Sequence, residues 1–239
     1  MRYCASRLAA ALTLAVAALG AWACTASAAP TVNVRVEGVT STIFEGPVST
    51  DGHDVTTAAG GTHKCDGTNN NANPTAGPTA TAALDDAAKS GGFTFDGTYS
   101  AQFDDFLITR IGPDTQTPTA FWGIFLNSQL TSVGGCQQRV GLGDEVLFAY
   151  DAFTKEHAAK HVLELTGPDA ATTGQPIVVT VTDGTTGGPV SGASVDGVTT
   201  GADGKATVTF NTVGVKRLKA LRSDFIRSNA LSVAVRETG

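Results

Sequence analysis

The sequence has few of the residues and motifs on which common enzymes depend. It contains only four cysteines in 239 residues, and no two of them form a CxxC pair, which excludes the usual ligand spacing of structural zinc sites. It also has no GxSxG nucleophile elbow, no phosphate-binding P-loop and no HExxH helix. We therefore predict no catalytic residue, no metal site and no cofactor, and we do not expect a secreted hydrolase.

The apolar run near the N terminus is too short for a permanent membrane anchor, which needs roughly 20 apolar residues. Arg2 and Arg7 precede the run Leu8–Leu19, and Ala26-Ser27-Ala28 has the small residues of a cleavage site. This pattern predicts a signal peptide over 1–28 and a secreted protein without a membrane span after cleavage. The alternative, lipidation of Cys24, is disfavoured because Trp22 does not suit a lipobox.

Cleavage would leave two cysteines, Cys65 and Cys136. In an oxidising compartment these two predict one disulfide. Cleavage would also remove Arg2 and Arg7 and lower the basic residues from 16 to 14 against 22 acidic ones, a net charge of −8. That balance argues against a general nucleic-acid-binding protein.

Basic residues are clustered at one place in the chain. This basic cluster comprises Lys216, Arg217, Lys219, Arg222 and Arg227. We interpret it as a solvated strand face, because long charged side chains are mostly exposed.

Methionine is nearly absent, glycine is abundant, and the length suits two modest domains. In the first, Val32, Val34 and Val36 alternate with polar residues, which predicts a half-buried strand. Thr79–Lys89 is the one helix candidate, with Asp85 and Asp86 on its exposed side and Gly91-Gly92 ending it. Two strands, a helix and about three more strands predict a β-grasp-like α+β domain over 30–155.

The later strands of this domain contain apolar residues on both faces. Phe121–Asn127 is the clearest case and indicates a central strand covered on two sides. By contrast, 56–78 has no apolar period and is predicted to be one long loop. A calcium site using Asp66, Asn69, Asn71 and Asn73 is the alternative, but the EF-hand order is missing.

Residues 160–237 have a different pattern, with short alternating strands separated by Gly, Asp and Pro turns. Ile177–Thr182 is typical, with Ile177, Val179 and Val181 predicted to point inward. This spacing predicts an Ig-like β-sandwich. The whole chain is therefore expected to be mainly β with one helix.

The first domain resembles the DUF4430 family, which is related to the C-terminal domain of transcobalamin and intrinsic factor. The resemblance is carried by Val34–Gly38, Thr42–Gly46, Phe121–Asn127 and Gly143–Phe148. It implies a soluble-ligand-binding β-grasp. The family's usual Asn-Gly turn is Asn127-Ser128 here, and no helical barrel domain is encoded, so cobalamin binding by this chain alone is not expected. Residues 160–237 resemble bacterial Ig-like or carboxypeptidase-regulatory-type domains, which usually serve as spacers or adhesive modules.

Four residues of the first domain are predicted to bind a ligand: Trp122, Tyr150, Arg110 and Asn127. The two aromatic rings could stack on a sugar or planar ligand, with Arg110 and also Arg139 at the rim. The alternative is that Trp122 and Tyr150 belong to the core.

Two further groups resemble chemical sites but are interpreted otherwise. Asp104 and Asp105 would point to opposite sides of a strand, so they cannot flank a glycosidic bond together and are expected at the surface. His157 and His161 have the spacing of a helical zinc pair, but His161 enters a predicted strand, so both are expected to be solvated.

The sequence therefore predicts a secreted, non-enzymatic binding protein. Its partner would be a small molecule, a glycan or a component of the cell envelope. The alternative is a structural or adhesive envelope protein without a small-molecule ligand.

Overall fold

The computed structural model describes residues 28–153 and 158–237. Most of the regular structure in these residues is β-strand, with one helix, which confirms the predicted fold class. The N-terminal unit (28–153) contains β1 (Thr31–Glu37), β2 (Thr42–Ser49), β3 (His53–Thr57), β4 (Gly61–Cys65), α1 (Ala80–Gly91), β5 (Phe95–Ser100), β6 (Asp105–Ile111), β7 (Asp114–Thr115), β8 (Trp122–Leu126), β9 (Gln129–Leu130) and β10 (Glu145–Tyr150).

The main sheet of the N-terminal unit has the strand order β2-β1-β10-β8-β9. β1 and β2 form an antiparallel pair, and β10 then lies parallel to β1 at the centre of the sheet. A parallel pair needs a long crossover, which here includes α1. The order of two paired strands, a helix and further strands is the one predicted for the β-grasp-like domain, and the central parallel pair is added by the structure.

Helix α1 begins beside the predicted cap Thr79 and ends at Gly91, two residues beyond the predicted Lys89. The Thr79 hydroxyl accepts a hydrogen bond from the Ala82 amide at 3.3 Å, and Gly92 closes the helix with a left-handed φ of 69°. Leu84 and Ala87 pack into the same core as Val34 of β1. The helix therefore covers one face of the sheet.

The prediction that 56–78 is one long loop is wrong, because its first part pairs as a hairpin. His53–Thr57 and Gly61–Cys65 are antiparallel, with His53 opposite Cys65. Only the part after Cys65 is irregular, and the predicted disulfide joins Cys65 to Cys136, with 2.05 Å between the sulfurs. The sequence did not predict these two strands because they lack alternating apolar residues. Val55 is the one large aliphatic residue of the hairpin.

The C-terminal unit (158–237) consists of short strands. These are β11 (Leu163–Thr166), β12 (Ala170–Thr172), β13 (Pro176–Asp183), β14 (Ser194–Val195), β15 (Val198–Thr199), β16 (Lys205–Thr209), β17 (Gly214–Leu218), β18 (Ala220–Leu221) and β19 (Leu231–Arg236). They form three sheets, ordered β11-β13-β16, β12-β19-β17 and β15-β14-β18. Val179 and Val181 are buried in one core with Val233 of the second sheet and Val195 of the third, as expected for a sandwich.

A third apolar cluster joins the two units. Phe125 of β8 and Leu147 of β10 lie on the sheet face opposite α1, where they pack with Val162 and Ile226 of the C-terminal unit. β8 and β10 are therefore covered on both faces, as their sequences predict, by the helix on one side and the C-terminal unit on the other. The division into domains 30–155 and 160–237 stays a prediction.

The alternation in β1 predicts that its polar residues are exposed to solvent. Contact between the two units makes this prediction wrong for Arg35 and Glu37. Arg35 and Glu37, on the polar face of this strand, are only 1% and 2% exposed. A half-buried strand was expected because a single strand does not reveal what packs on its second face. Here that face meets the C-terminal unit.

Two aspartates predicted at the surface are also buried. Asp85 of α1 is 8% exposed and pairs with His53 of β3, while Asp105 is 6% exposed and accepts hydrogen bonds from the Cys136 and Phe106 amides. Both carboxylates connect separate elements, and such long-range partners are invisible in local sequence.

The predicted signal peptide lies almost wholly outside the described residues, which begin at Ala28. Within 28–153 and 158–237 the one helix has 12 residues, too short to cross a membrane.

Candidate functional site

A cleft of about 860 Å³ lies between the two units. The N-terminal unit lines it with the end of β1, the segment before β8 and the end of β10. The C-terminal unit contributes Lys160 and residues 221–223 and 225–227. The site therefore exists only where the two units meet.

Buried ion pairs fix this junction beside the cleft. Arg227 donates to Glu37 with Nε and Oε2 2.8 Å apart, and Lys219 pairs with both Glu37 and Glu45. Arg35 donates to Glu145 at 2.7 Å and to the backbone carbonyl of Arg227 at 2.6 Å.

This set, named the junction ion cluster, contains three cations and three carboxylates: Arg35, Lys219, Arg227, Glu37, Glu45 and Glu145. Its formal charges balance, which is the condition under which buried charges are tolerated. The prediction that the basic cluster forms a solvated strand face is therefore wrong for Lys219 and Arg227. The side chains of both residues are only 19% exposed.

A second set of contacts joins the units at the β8–β9 turn. The Ser128 hydroxyl donates to Glu164 at 3.0 Å, and Thr185 donates back to the Ser128 carbonyl at 3.2 Å. Gln129 adds a hydrogen bond to the Thr185 carbonyl at 3.1 Å. Together with the junction ion cluster, these contacts join the two units beside the cleft.

Aromatic rings lie on both walls of the cleft. Tyr150 lines one wall, and its ring meets the Trp122 ring edge-on at 5.4 Å. Phe225 lines the other wall, with the Arg222 guanidinium 4.4 Å above its ring centre. Phe153 contributes a third ring. The cleft thus offers flat apolar surfaces for stacking.

The charged groups along the cleft are paired with one another. Asp224 holds Arg222 through two hydrogen bonds of 2.7 Å, and Lys160 pairs with Asp151 at 2.7 Å. The hydrogen bonds to Asp224 raise the pKa of Arg222, although burial acts in the opposite direction. The same hydrogen bonds lower the pKa of Asp224. The cleft consequently presents hydrogen-bonding groups without a large excess of one charge.

Of the four predicted ligand-binding residues, only Tyr150 lines the cleft. Trp122 lies behind Tyr150 and is only 8% exposed. It belongs to the core, which was the alternative interpretation. Arg110 donates to Thr94 and to the Gly112 carbonyl, and Asn127 bonds Asp144 and the Glu145 amide. Arg110 and Asn127 lie outside the cleft lining, and a role for them in binding stays a prediction.

Arg139, predicted at the rim of the same surface, belongs to another part of the molecule. Its guanidinium donates to the Thr75 carbonyl and fills the space beside Gly67 and Gly77, where a Cβ atom would meet it. It supports the irregular segment after β4.

One group of side chains has a composition that could suit a metal: His53, Asp85 and Asp86. However, Asp85 approaches Nε2 of His53 at 2.9 Å, whereas Asp86 lies 3.9 Å from Nδ1, on the other side of the ring. Lys89 also forms an ion pair with the Asp85 carboxylate. The bond to Asp85 raises the pKa of His53 above its ordinary 6.5. The arrangement is that of an ion pair between β3 and α1.

The predicted histidine pair is only partly within the described residues, because His157 lies outside them. His161 bonds Asp183 with Nδ1 and Oδ2 2.6 Å apart. The cleft lining itself, as far as the chain is described, contains neither histidine nor cysteine.

No protein-family model matches the chain, and no curated protein matches it either.

The cleft residues that sequence reasoning missed come from both units. Phe225 and Ile226 gave no signal, since they stand in a turn segment, and Glu37 was read as a solvated strand residue. The one available signal was the basic cluster, which contains Arg222 and Arg227 of the lining and Lys219 beside it.

Proposed function

We propose that this chain is a secreted, non-enzymatic binding protein that holds a ligand in the cleft between its two units. The observation that carries the proposal is the cleft itself, with aromatic rings on opposite walls and paired polar groups between them. A volume of about 860 Å³ lies within the range of small-molecule sites.

Several features support this assignment over catalysis. General acid–base and nucleophilic catalysis need a positioned base beside a nucleophile. Among the described residues of the lining, no histidine accompanies the hydroxyls of Thr119 and Ser223. The rings and ion pairs suit recognition by stacking and hydrogen bonding.

The proposal includes membership of the N-terminal unit in the DUF4430 family. The order β2-β1-β10-β8, crossed by α1, agrees with the β-grasp that the resemblance implies. Export is supported by the predicted signal peptide and is compatible with the disulfide. In this proposal the C-terminal unit is half of the binding site and not a detached spacer.

Trp122 offers a direct test, because it is the only tryptophan outside the predicted signal peptide. Its edge-on contact with Tyr150 should transmit ligand binding to the indole fluorescence. The mature chain would be screened against oligosaccharides and planar aromatic compounds by thermal shift and tryptophan emission. We expect at least one class to raise the melting temperature and change the emission.

The matched variants are Phe225→Ala, in the cleft, and Phe103→Ala, an aromatic residue that is 61% exposed and outside the lining. Phe225→Ala should weaken binding and Phe103→Ala should leave it unchanged. Equal loss in both variants, or no response to any compound class, would contradict the proposal and favour a structural or adhesive role.

A further inference from the structure

The charge arrangement of the cleft indicates which class of ligand it takes. Three cations, Lys160, Arg222 and Arg227, are close to the ligand space, and each is already bonded to a carboxylate at 2.7–2.8 Å. Their partners are Asp151, Asp224 and Glu37. An incoming anion would meet no uncompensated cation among these groups and would approach three carboxylates.

A neutral hydroxyl meets a different situation. It can donate to a paired carboxylate, which has spare lone pairs, and accept from a guanidinium with unused N–H groups. Arg222 shows this capacity, since Nε and Nη2 bind Asp224 and Nη1 binds the Ser191 carbonyl, leaving further N–H groups available. Such contacts bury no new charge and leave the ion pairs intact.

The aromatic walls add the second requirement. The C–H faces of a sugar ring are apolar and can stack on the Tyr150 ring and on the side of the Phe225 ring that the Arg222 guanidinium does not cover, while its rim of hydroxyls reaches the paired polar groups.

We propose that the cleft binds an uncharged oligosaccharide, with Tyr150 and Phe225 as stacking platforms and the Arg222–Asp224 pair as a hydrogen-bonding group for hydroxyls. The inference rests on the proposed binding function and narrows its ligand to one class. The same paired charges disfavour uronic-acid or phosphorylated sugars.

The test compares neutral and charged oligosaccharides by calorimetry on the mature chain. Cello-, chito- and malto-hexaose are the neutral probes, and oligogalacturonate of the same length is the charged probe. At least one neutral probe should bind, with an affinity that salt hardly changes, because no ion pair forms with the ligand. Phe225→Ala should weaken that binding about tenfold or more.

Asp224→Asn is the decisive variant. Asp224 is a surface residue whose side chain is 60% exposed, so the variant should fold. It frees the Arg222 charge, and should therefore weaken the neutral probe and create salt-sensitive binding of oligogalacturonate. Phe103→Ala is the control and should behave as the wild type.

Tighter binding of oligogalacturonate than of every neutral probe by the wild type would overturn the inference. So would binding of planar aromatic compounds but of no oligosaccharide, a result that would leave the proposed binding function standing. If no probe of any class binds, both proposals fail.

Discussion

Glu37 and Arg227 are bonded across the junction of the two units, with 2.8 Å between Oε2 and Nε, although 190 residues separate them in the chain. Glu37 also pairs with Lys219, and its side chain is only 3% exposed. This carboxylate lies at the centre of the junction ion cluster and lines the cleft, so stability and the geometry of the site depend on the same group.

Removing its charge should therefore be costly. Glu37→Gln takes away the carboxylate that pairs with Arg227, leaves Lys219 with Glu45 alone, and gives the cluster three cations against two carboxylates. We therefore expect a loss of about 3 kcal/mol or more in the free energy of unfolding. Urea denaturation measures this loss. Arg217→Ala, which removes an exposed member of the basic cluster, should change stability by less than about 0.5 kcal/mol. A loss below about 1 kcal/mol in Glu37→Gln would show that the cluster does not hold the units together.

The β8–β9 turn gives a second prediction. Asn127 and Ser128 both have positive φ, 49° and 64°, which is the geometry that favours Asn-Gly. Serine is strained there, but its hydroxyl bonds Glu164 of the other unit. Ser128→Ala keeps the strain and loses the bond, whereas Ser128→Gly loses both. Thermal denaturation should show Ser128→Gly more stable than Ser128→Ala by about 0.5–1 kcal/mol. The reverse order would mean that backbone strain is unimportant here.

The disulfide between Cys65 and Cys136 closes a separation of 71 residues and anchors the irregular segment after β4. The chain-entropy model gives about 4 kcal/mol for a loop of this size. Replacing both cysteines with serine should lower the free energy of unfolding by roughly that amount in urea. Reduction of the wild type should produce the same shift, and a double variant as stable as the oxidised wild type would contradict the prediction.

Asp105 should make stability depend on pH in an unusual direction. Burial raises the pKa of Asp105 from 3.8 to about 6, against the opposing effect of the amide hydrogen bonds from Cys136 and Phe106. The folded state then holds the proton more tightly than the unfolded state. The corresponding stability is complete below pH 3.8 and is lost as the pH rises through about 6.

The measurement compares urea unfolding of the wild type with that of Asp105→Asn between pH 4 and pH 7. The wild type should lose on the order of 3 kcal/mol relative to the variant over this range. Parallel curves for the two proteins would show that the carboxyl group titrates at an ordinary pKa.

Local patterns predicted much of the fold. The alternation of Val32, Val34 and Val36 identified β1, and the alanine face closed by Gly91-Gly92 identified the helix, because period and end signals are properties of neighbouring residues. The same reasoning failed for the β3–β4 hairpin, which has little apolar alternation. It also failed for Asp85 and Asp105, whose partners come from other elements.

The amino-acid sequence by itself determined the mainly β architecture and the one helix of the described residues, since these follow from local periodicity. It also predicted the pairing of Cys65 with Cys136, because these are the two cysteines outside the predicted signal peptide. The tertiary structure alone decided that Arg35, Glu37, Lys219 and Arg227 are buried together, and that the cleft lies between the units beside Tyr150. The physical reason is that an ion pair or a cleft wall joins residues nearly 190 positions apart, and no local pattern contains information about which surface will cover another.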